Sequence, residues 1–280
     1  MINYGSNPSA GHYLGVNDIK MYYEIYGEGE PLLLLHGGGG SIENFEFQIP
    51  ELSREFKIIA VDSRAQGRTT DSDKELSYAL MAEDIAELIT KLKLGSVNIL
   101  GWSDGGDTGL ELAYAHPEMV KKLVISGSDY NHNISSEPDD GVNMDQDHPV
   151  IVLTEPFLRK FFGNPWELSP DPQRVPAIRE KLRKMWNNYP NFTVEQLKTI
   201  TAPVLLIAGD RDIIAPEQTI TLFRALPNSQ LFIVPGASHL ALMEKAEFLN
   251  RQITEFLRTP FRKLNNRYYF KSRYNSDSKS

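Results

Sequence analysis

The sequence predicts an α/β fold: a mostly parallel central sheet with helices on both faces and a helical cap inserted before the last strands. Three observations carry this. Short apolar blocks rich in Val, Ile and Leu recur along the 280 residues, bounded by Gly, Asp or Ser, as strands buried on both faces require. Between them, apolar residues return at helical spacing, and such alternation builds parallel sheets flanked by helices. The alternation lapses between about residues 129 and 200 and then resumes.

Taken in order, residues 19–26 form the first predicted strand, 32–35 a buried second and 58–61 a third. Met81, Ile85, Leu88, Ile89 and Leu92 then share one helix face, with Glu83, Asp84, Glu87 and Lys91 elsewhere. Residues 97–100 are the next strand, 109–115 a helix and 123–125 another strand. The break follows. Residues 130–147 hold Glu137, Asp139, Asp140, Asp145 and Asp147 without Lys or Arg, and prolines recur up to Pro176. Helical patterns at 155–162, 175–187 and 194–200 suggest a cap of low regularity. Strands at 204–207 and 231–234 complete the sheet. The domain reading is a catalytic body of residues 1–128 and 201–257, a cap of 129–200 and a tail of 258–280. The tail has seven basic residues against the single acid Asp277, interleaved with Phe261, Tyr268, Tyr269, Phe270 and Tyr274. It reads as a solvated extension, because no nucleic-acid module accompanies it.

Composition narrows the function classes. With no cysteine, a disulfide scaffold, an iron–sulfur cluster, a thiolate zinc site and a cysteine nucleophile are excluded. Lys plus Arg is 29 against 37 Asp plus Glu, a net charge of −8, which disfavours nucleic acid as a partner. The longest apolar runs, 31–35 and 203–208, fall far short of the ~20 residues of a spanning helix. The first residues lack a basic start followed by an apolar stretch, so neither membrane nor secretory signal is expected and the cytoplasm is the expected location. The acids at 137–147 lack the spacing of a calcium loop, and no G-x-x-x-x-G-K run is present. No metal and no cofactor are expected.

One turn carries the chemistry. Gly101-Trp102-Ser103-Asp104-Gly105-Gly106 follows a buried strand and precedes a helix, which is the context a G-x-S-x-G nucleophile turn requires. Glycines relieve crowding around a strained serine. The helix start beyond it favours developing negative charge. A nucleophilic serine needs a base, and the base an orienting acid. Of six histidines, only His239, in Gly236-Ala237-Ser238-His239, sits in a suitable loop after a late strand. Gly209-Asp210-Arg211-Asp212 ends the preceding strand and offers the acid. The run His36-Gly37-Gly38-Gly39-Gly40 ends the 32–35 strand. Its Gly38 amide and the amide of Asp104 are assigned as the oxyanion donors.

With these residues in hand, the chain resembles the α/β-hydrolase superfamily, in particular its cap-containing, carboxylesterase-like serine hydrolases. The resemblance covers residues 15–257. It rests on His36-Gly37-Gly38, Asp62-Ser63-Arg64-Ala65-Gln66-Gly67-Arg68-Thr69, the 101–105 turn, the 209–212 turn with Pro216, and the 236–239 loop with Glu244. It implies a Ser…Asp…His order and places the acid at Asp212, with Asp129 or Asp210 as alternatives. Three positions depart from it or call for comment. Ala65-Gln66 stands where relatives carry Gly-His. Asp104 is expected to point away from the site, toward Arg64, because an inward carboxylate would oppose an oxyanion. Glu244 reads as a helix-start residue.

The resemblance implies hydrolysis of a carboxylic ester, thioester or lactone, with a small-molecule acyl compound as substrate. Hydrolysis of a C–C bond beside a carbonyl, or cofactor-free perhydrolysis, would use the same triad. A non-catalytic small-molecule binder on this fold is the alternative of another class. Ser103 argues against the superfamily's aspartate-nucleophile dehalogenases and epoxide hydrolases. Trp102, Tyr130, Phe157, Phe161 and Trp166, with Phe162 and Trp186, are candidate pocket residues, suited to an apolar acyl or aryl group.

Overall fold

A computed structural model describes residues 2–134 and 165–263. Eight strands form one sheet: β1 (Gly11–Val16), β2 (Ile19–Tyr26), β3 (Pro31–Leu35), β4 (Lys57–Val61), β5 (Val97–Trp102), β6 (Val120–Ser126), β7 (Val204–Arg211) and β8 (Ser229–Ser238). Their spatial order is β1-β2-β4-β3-β5-β6-β7-β8. The strands β3 to β8 pair in parallel, while β1 and β2 join antiparallel. The α/β expectation therefore holds, with an antiparallel edge. The exception to the sequence reading is β1. Its segment GHYLGV is mostly exposed, with only Val16 buried, so it carries no apolar run to betray it.

The helices are α1 (Ile49–Leu52), α2 (Tyr78–Lys91), α3 (Asp104–Ala115), α4 (Val175–Trp186), α5 (Val194–Leu197), α6 (Pro216–Ala225), α7 (Ala241–Glu244) and α8 (Ala246–Arg258). The Ser77 side chain caps α2 by accepting from the Leu80 amide, which satisfies one of the donors orphaned at a helix start. From there Met81, Ala82, Ile85, Leu88 and Ile89 turn to the core. Side chains alternate between sheet faces, and the two faces accordingly build two clusters. One joins Leu33, Leu35, Ile59, Ile99, Leu123 and Leu206 with the buried face of α2. The other joins Leu32, Leu34, Ile58, Leu100, Val124 and Ile207 with Leu249, Ile253 and Phe256 of α8.

In the region read as the cap, Ile178, Leu182 and Met185 of α4 pack on Ala65, Leu76, Tyr78 and Met81. Arg174 and Lys181 add ion pairs to Asp71 at 2.8 and 3.0 Å. Phe192, Leu197 and Ile200 join the main core cluster. The predicted helix at 155–162, the acids at 137–147, Phe157, Phe161 and Phe162, and the tail from residue 264 lie outside the described residues.

Candidate active site

The site begins with the strain of the turn after β5. Ser103 has φ 53° and ψ −124°, a region that a residue with a Cβ rarely adopts. Its neighbours explain why this is tolerated. A Cβ on Gly101 would overlap the Gly105 carbonyl, and one on Gly105 would overlap the Leu35 carbonyl. Only glycine lets the turn close this tightly against β3. Hydrogen bonds then lock the serine backbone. Its amide donates to the Ser126 carbonyl at 2.8 Å, and its carbonyl accepts from the Gly106 amide at 2.7 Å and Ser128 Oγ at 2.8 Å.

The hydroxyl thus presented meets His239. Its Nε2 lies 3.1 Å from Ser103 Oγ, and its Nδ1 lies 2.8 Å from Asp212 Oδ1. The two partners come from the ends of β7 and β8, which run further than the sequence pattern showed and still pair at Arg211 and Ser238. Gly127, at φ 64°, leaves room beside them. A Cβ there would sit 2.8 Å from His239 Nδ1 and 3.1 Å from Asp212 Oδ2. Trp102 Nε1 donates to the His239 carbonyl at 3.0 Å. Asp212 Oδ1 also accepts from the Ile214 amide at 2.9 Å, and its side chain is 2% exposed.

The other acids sit elsewhere. Asp210 is exposed and accepts from the Gly236 amide at 2.8 Å. Asp129 is partly buried, and burial pushes its carboxyl up to about 6. Among the described residues no hydrogen bond joins Asp129 to His239. Glu244 stands in the first turn of the short helix α7, as its reading as a helix-start residue expects, and its carboxylate also accepts from the Ser238 amide at 2.7 Å and Ser238 Oγ at 2.8 Å. It therefore braces the residue before His239.

The glycine run after β3 curls over the serine. A Cβ on Gly37 would lie 3.3 Å from Ser103 Cβ. The loop is pinned from below. His36 is buried; its Nδ1–H donates to the Gly37 carbonyl at 2.7 Å and its Nε2 accepts from the Ser63 amide at 3.0 Å. Burial lowers its pKa to about 4, so it is neutral. Gln66 accepts from the Gly39 amide at 2.6 Å. Among the described residues the Gly38 amide donates to no backbone or side-chain acceptor, and the Asp104 amide meets the carboxylate of its own residue. Three tryptophans stand along the run, and each would touch a Cβ added to its glycine. Trp102 lies 3.1 Å from that position on Gly37, Trp186 2.7 Å on Gly38 and Trp166 3.3 Å on Gly39.

Asp104 overturns its expectation. Arg64 is occupied elsewhere, bonding Asp84 at 2.6 and 2.7 Å, Asp18 at 2.7 Å and Ser72 at 3.0 Å. The Asp104 carboxylate turns inward and is buried. Its Oδ2 would overlap a Cβ on Gly38. Trp186 Nε1 donates to Oδ2 at 2.9 Å and the Tyr78 hydroxyl to Oδ1 at 3.1 Å. Loss of hydration raises its pKa despite those bonds. Tyr78 was missed in the sequence reading because nothing local marks it: it reaches Asp104 from the first turn of α2. Of the predicted pocket residues, Trp102 and Trp166 flank the glycine run, whereas Tyr130 joins the main core cluster.

Comparison with known proteins agrees with this architecture. The profile of the alpha/beta hydrolase fold family matches residues 30–149, and that of TAP-like proteins matches residues 181–268. A Metapseudomonas resinovorans protein named 2-hydroxy-6-oxo-6-(2'-aminophenyl)hexa-2,4-dienoic acid hydrolase is 25% identical over 275 residues, spanning 88% of this chain and 90% of that protein. The Homo sapiens serine hydrolase BPHL is 27% identical over 256 residues, spanning 87% of this chain and 85% of that protein. The structure of a meta-cleavage product hydrolase from Pseudomonas fluorescens IP01 superposes with a TM-score of 0.73 at 22% identity, covering 90% of this chain and 98% of that one. Sheet, turn and both profile matches place the chain in the α/β-hydrolase superfamily.

Proposed function

We propose that the chain is a serine hydrolase that cleaves a carboxylic ester, or a related thioester or lactone, through an acyl-enzyme. The row Ser103 Oγ–His239–Asp212, with spacings of 3.1 and 2.8 Å, carries this reading. His239 Nε2 takes the serine proton as Oγ bonds the carbonyl carbon. The carbonyl oxygen becomes an oxyanion facing the amides of Gly38 and Asp104. Collapse expels the alcohol, which receives the proton from Nε2. His239 then deprotonates a water, which attacks the acyl carbon and releases the acid and Ser103. Asp212 holds the Nδ1–H tautomer and offsets the charge of the imidazolium.

Cleavage of a C–C bond beside a carbonyl is the second reading, favoured by the relative named a dienoic acid hydrolase that aligns over nearly its whole length. It needs the same nucleophile and base and a leaving carbanion in place of an alkoxide. Parallel assays with chromogenic short-chain esters, lactones and dienoic acids separate the two. We expect ester turnover that Ser103→Ala reduces by about 10⁴-fold or more. Equal, slow hydrolysis by both proteins would sink the serine reading. Turnover of dienoic acids alone would move the assignment to carbon–carbon cleavage.

A further inference from the structure

We propose that Trp102 is the positioning residue of the general base: its indole N–H fixes the main chain of His239, and its ring stabilises the imidazolium that forms when the serine proton arrives. The inference rests on the serine-hydrolase reading above and deepens it. Trp102 closes β5, one residue before Ser103. Its side chain acts on a loop 137 residues away, where Nε1 donates to the His239 carbonyl at 3.0 Å. The indole and the imidazole have their centroids 5.7 Å apart and their planes inclined by 44°. Trp102 is buried, in the same apolar cluster as Leu240 and Leu242 just beyond the base. It also lies against the glycine run, where a Cβ on Gly37 would stand 3.1 Å from its Cε3. One side chain thus ties the nucleophile's strand, the base's loop and the oxyanion loop together.

Position comes first. The other ties on the loop are exposed: Glu244 holds the Ser238 amide and hydroxyl, and Asp210 holds the Gly236 amide. The indole bond is partly buried and fixes the far side of His239. A hydrogen bond shielded from water is electrostatically stronger than an exposed one. The proton passes from Ser103 Oγ to Nε2 only within hydrogen-bond reach, and a displacement on the order of 1 Å costs about a hundredfold in rate. Charge comes second. The imidazolium forms inside the ~6 Å over which an aromatic ring attracts a cation, and tryptophan attracts most. The charged groups facing the imidazole are Asp212 on Nδ1 from the end of β7, Asp104 from α3 and Asp129 from beyond β6. All three are acids and favour the imidazolium. The indole adds to them without a charge of its own.

Two variants separate the ring from its N–H. Trp102→Phe keeps an aromatic ring and loses the donor, whereas Trp102→Leu loses both and keeps the site apolar. With a short-chain chromogenic ester, kcat should fall about tenfold or more in each, while KM stays within about threefold. The acid limb of kcat/KM reports the base in the free enzyme. Loss of a group that stabilises the cation lowers that limb, so it should drop by about half a pH unit or more in Trp102→Leu and by less than about 0.2 in Trp102→Phe. The rate at which an alkyl fluorophosphonate labels Ser103, followed against pH, gives the same limb without turnover. Measured on the wild type and Trp102→Phe, it tests the N–H even if the leucine protein does not fold. A loss carried by KM with kcat within about threefold would make Trp102 a substrate wall and overturn the proposal. An acid limb unmoved in Trp102→Leu, or wild-type kcat in Trp102→Phe, would overturn it too. A wild type without Ser103-dependent turnover or labelling would instead remove the serine reading on which it rests.

Discussion

Two carboxylates, Asp212 and Asp129, compete for the role of orienting acid, and geometry separates them. Asp212 lies 2.8 Å from His239 Nδ1, whereas Asp129 stands off as a charged neighbour with its own carboxyl raised to about 6. An acid that is half protonated near pH 6 would also serve poorly as the permanent anion behind an imidazolium. Asp212→Asn should therefore cost about 10⁴-fold in kcat, and Asp129→Asn should cost far less, as steady-state kinetics on one ester would reveal. The reverse ranking would transfer the acid to Asp129. At this scale the sequence was legible wherever a residue type is dictated locally. The glycines around Ser103 are forced by carbonyl overlaps, and the order Ser…Asp…His follows from strand ends. The direction of Asp104 was not legible. Its partners Tyr78 and Trp186 lie 26 and 82 residues away, and no local pattern ties them to it.

At the scale of elements, a buried ion-pair network fastens the loop after β4 to α2 and to the β1–β2 turn. Arg64 is fully buried, and its guanidinium is shared between Asp84 on α2 and Asp18 before β2. Removing the cation strands two carboxylates, one of them sealed from water, and such truncations cost about 3–5 kcal/mol. Arg64→Met should lower unfolding stability by that order in a urea titration. The double variant Arg64→Met with Asp84→Leu should recover part of the loss, because it removes the stranded charge together with its partner. A loss equal to the sum of the two single variants would show that the residues do not act as a pair. This network explains why Asp104 had no arginine to meet. The elements themselves were legible in proportion to their apolar runs. The buried strands β3 to β6 were placed to within a few residues. The ends of β7 and β8 were not, since their last residues are held by ladder pairing of Gly209 with Val234 and Arg211 with Ser238 and not by hydrophobic pattern. The exposed edge strand β1 gave no signal for the same reason.

For the whole molecule, buried ionisable groups set how stability responds to pH, and they pull in opposite senses. Burial raises the carboxyls of Asp62 to about 7 and Asp129 to about 6, and raises those of Asp104 and Asp107 as well. Each binds its proton more tightly folded than unfolded. Its stabilising contribution is present below the unfolded carboxyl range near pH 4 and is lost as pH rises through the folded value. His36 runs the other way. Its folded pKa of about 4 lies below the ordinary 6.5, so its contribution is complete above pH 6.5 and is lost as pH falls toward 4. Four carboxyls outweigh one imidazole, so the unfolding midpoint in urea should be higher at pH 5 than at pH 8. His36→Asn isolates the opposing group, since an amide can still donate to the Gly37 carbonyl or accept from the Ser63 amide. Between pH 4 and 6.5 the wild type should gain stability over this variant by about 1.4 kcal/mol per pH unit, the weight of one proton. Parallel stability curves for the two proteins across that window would mean that the histidine beneath the glycine run takes up its proton as readily folded as unfolded.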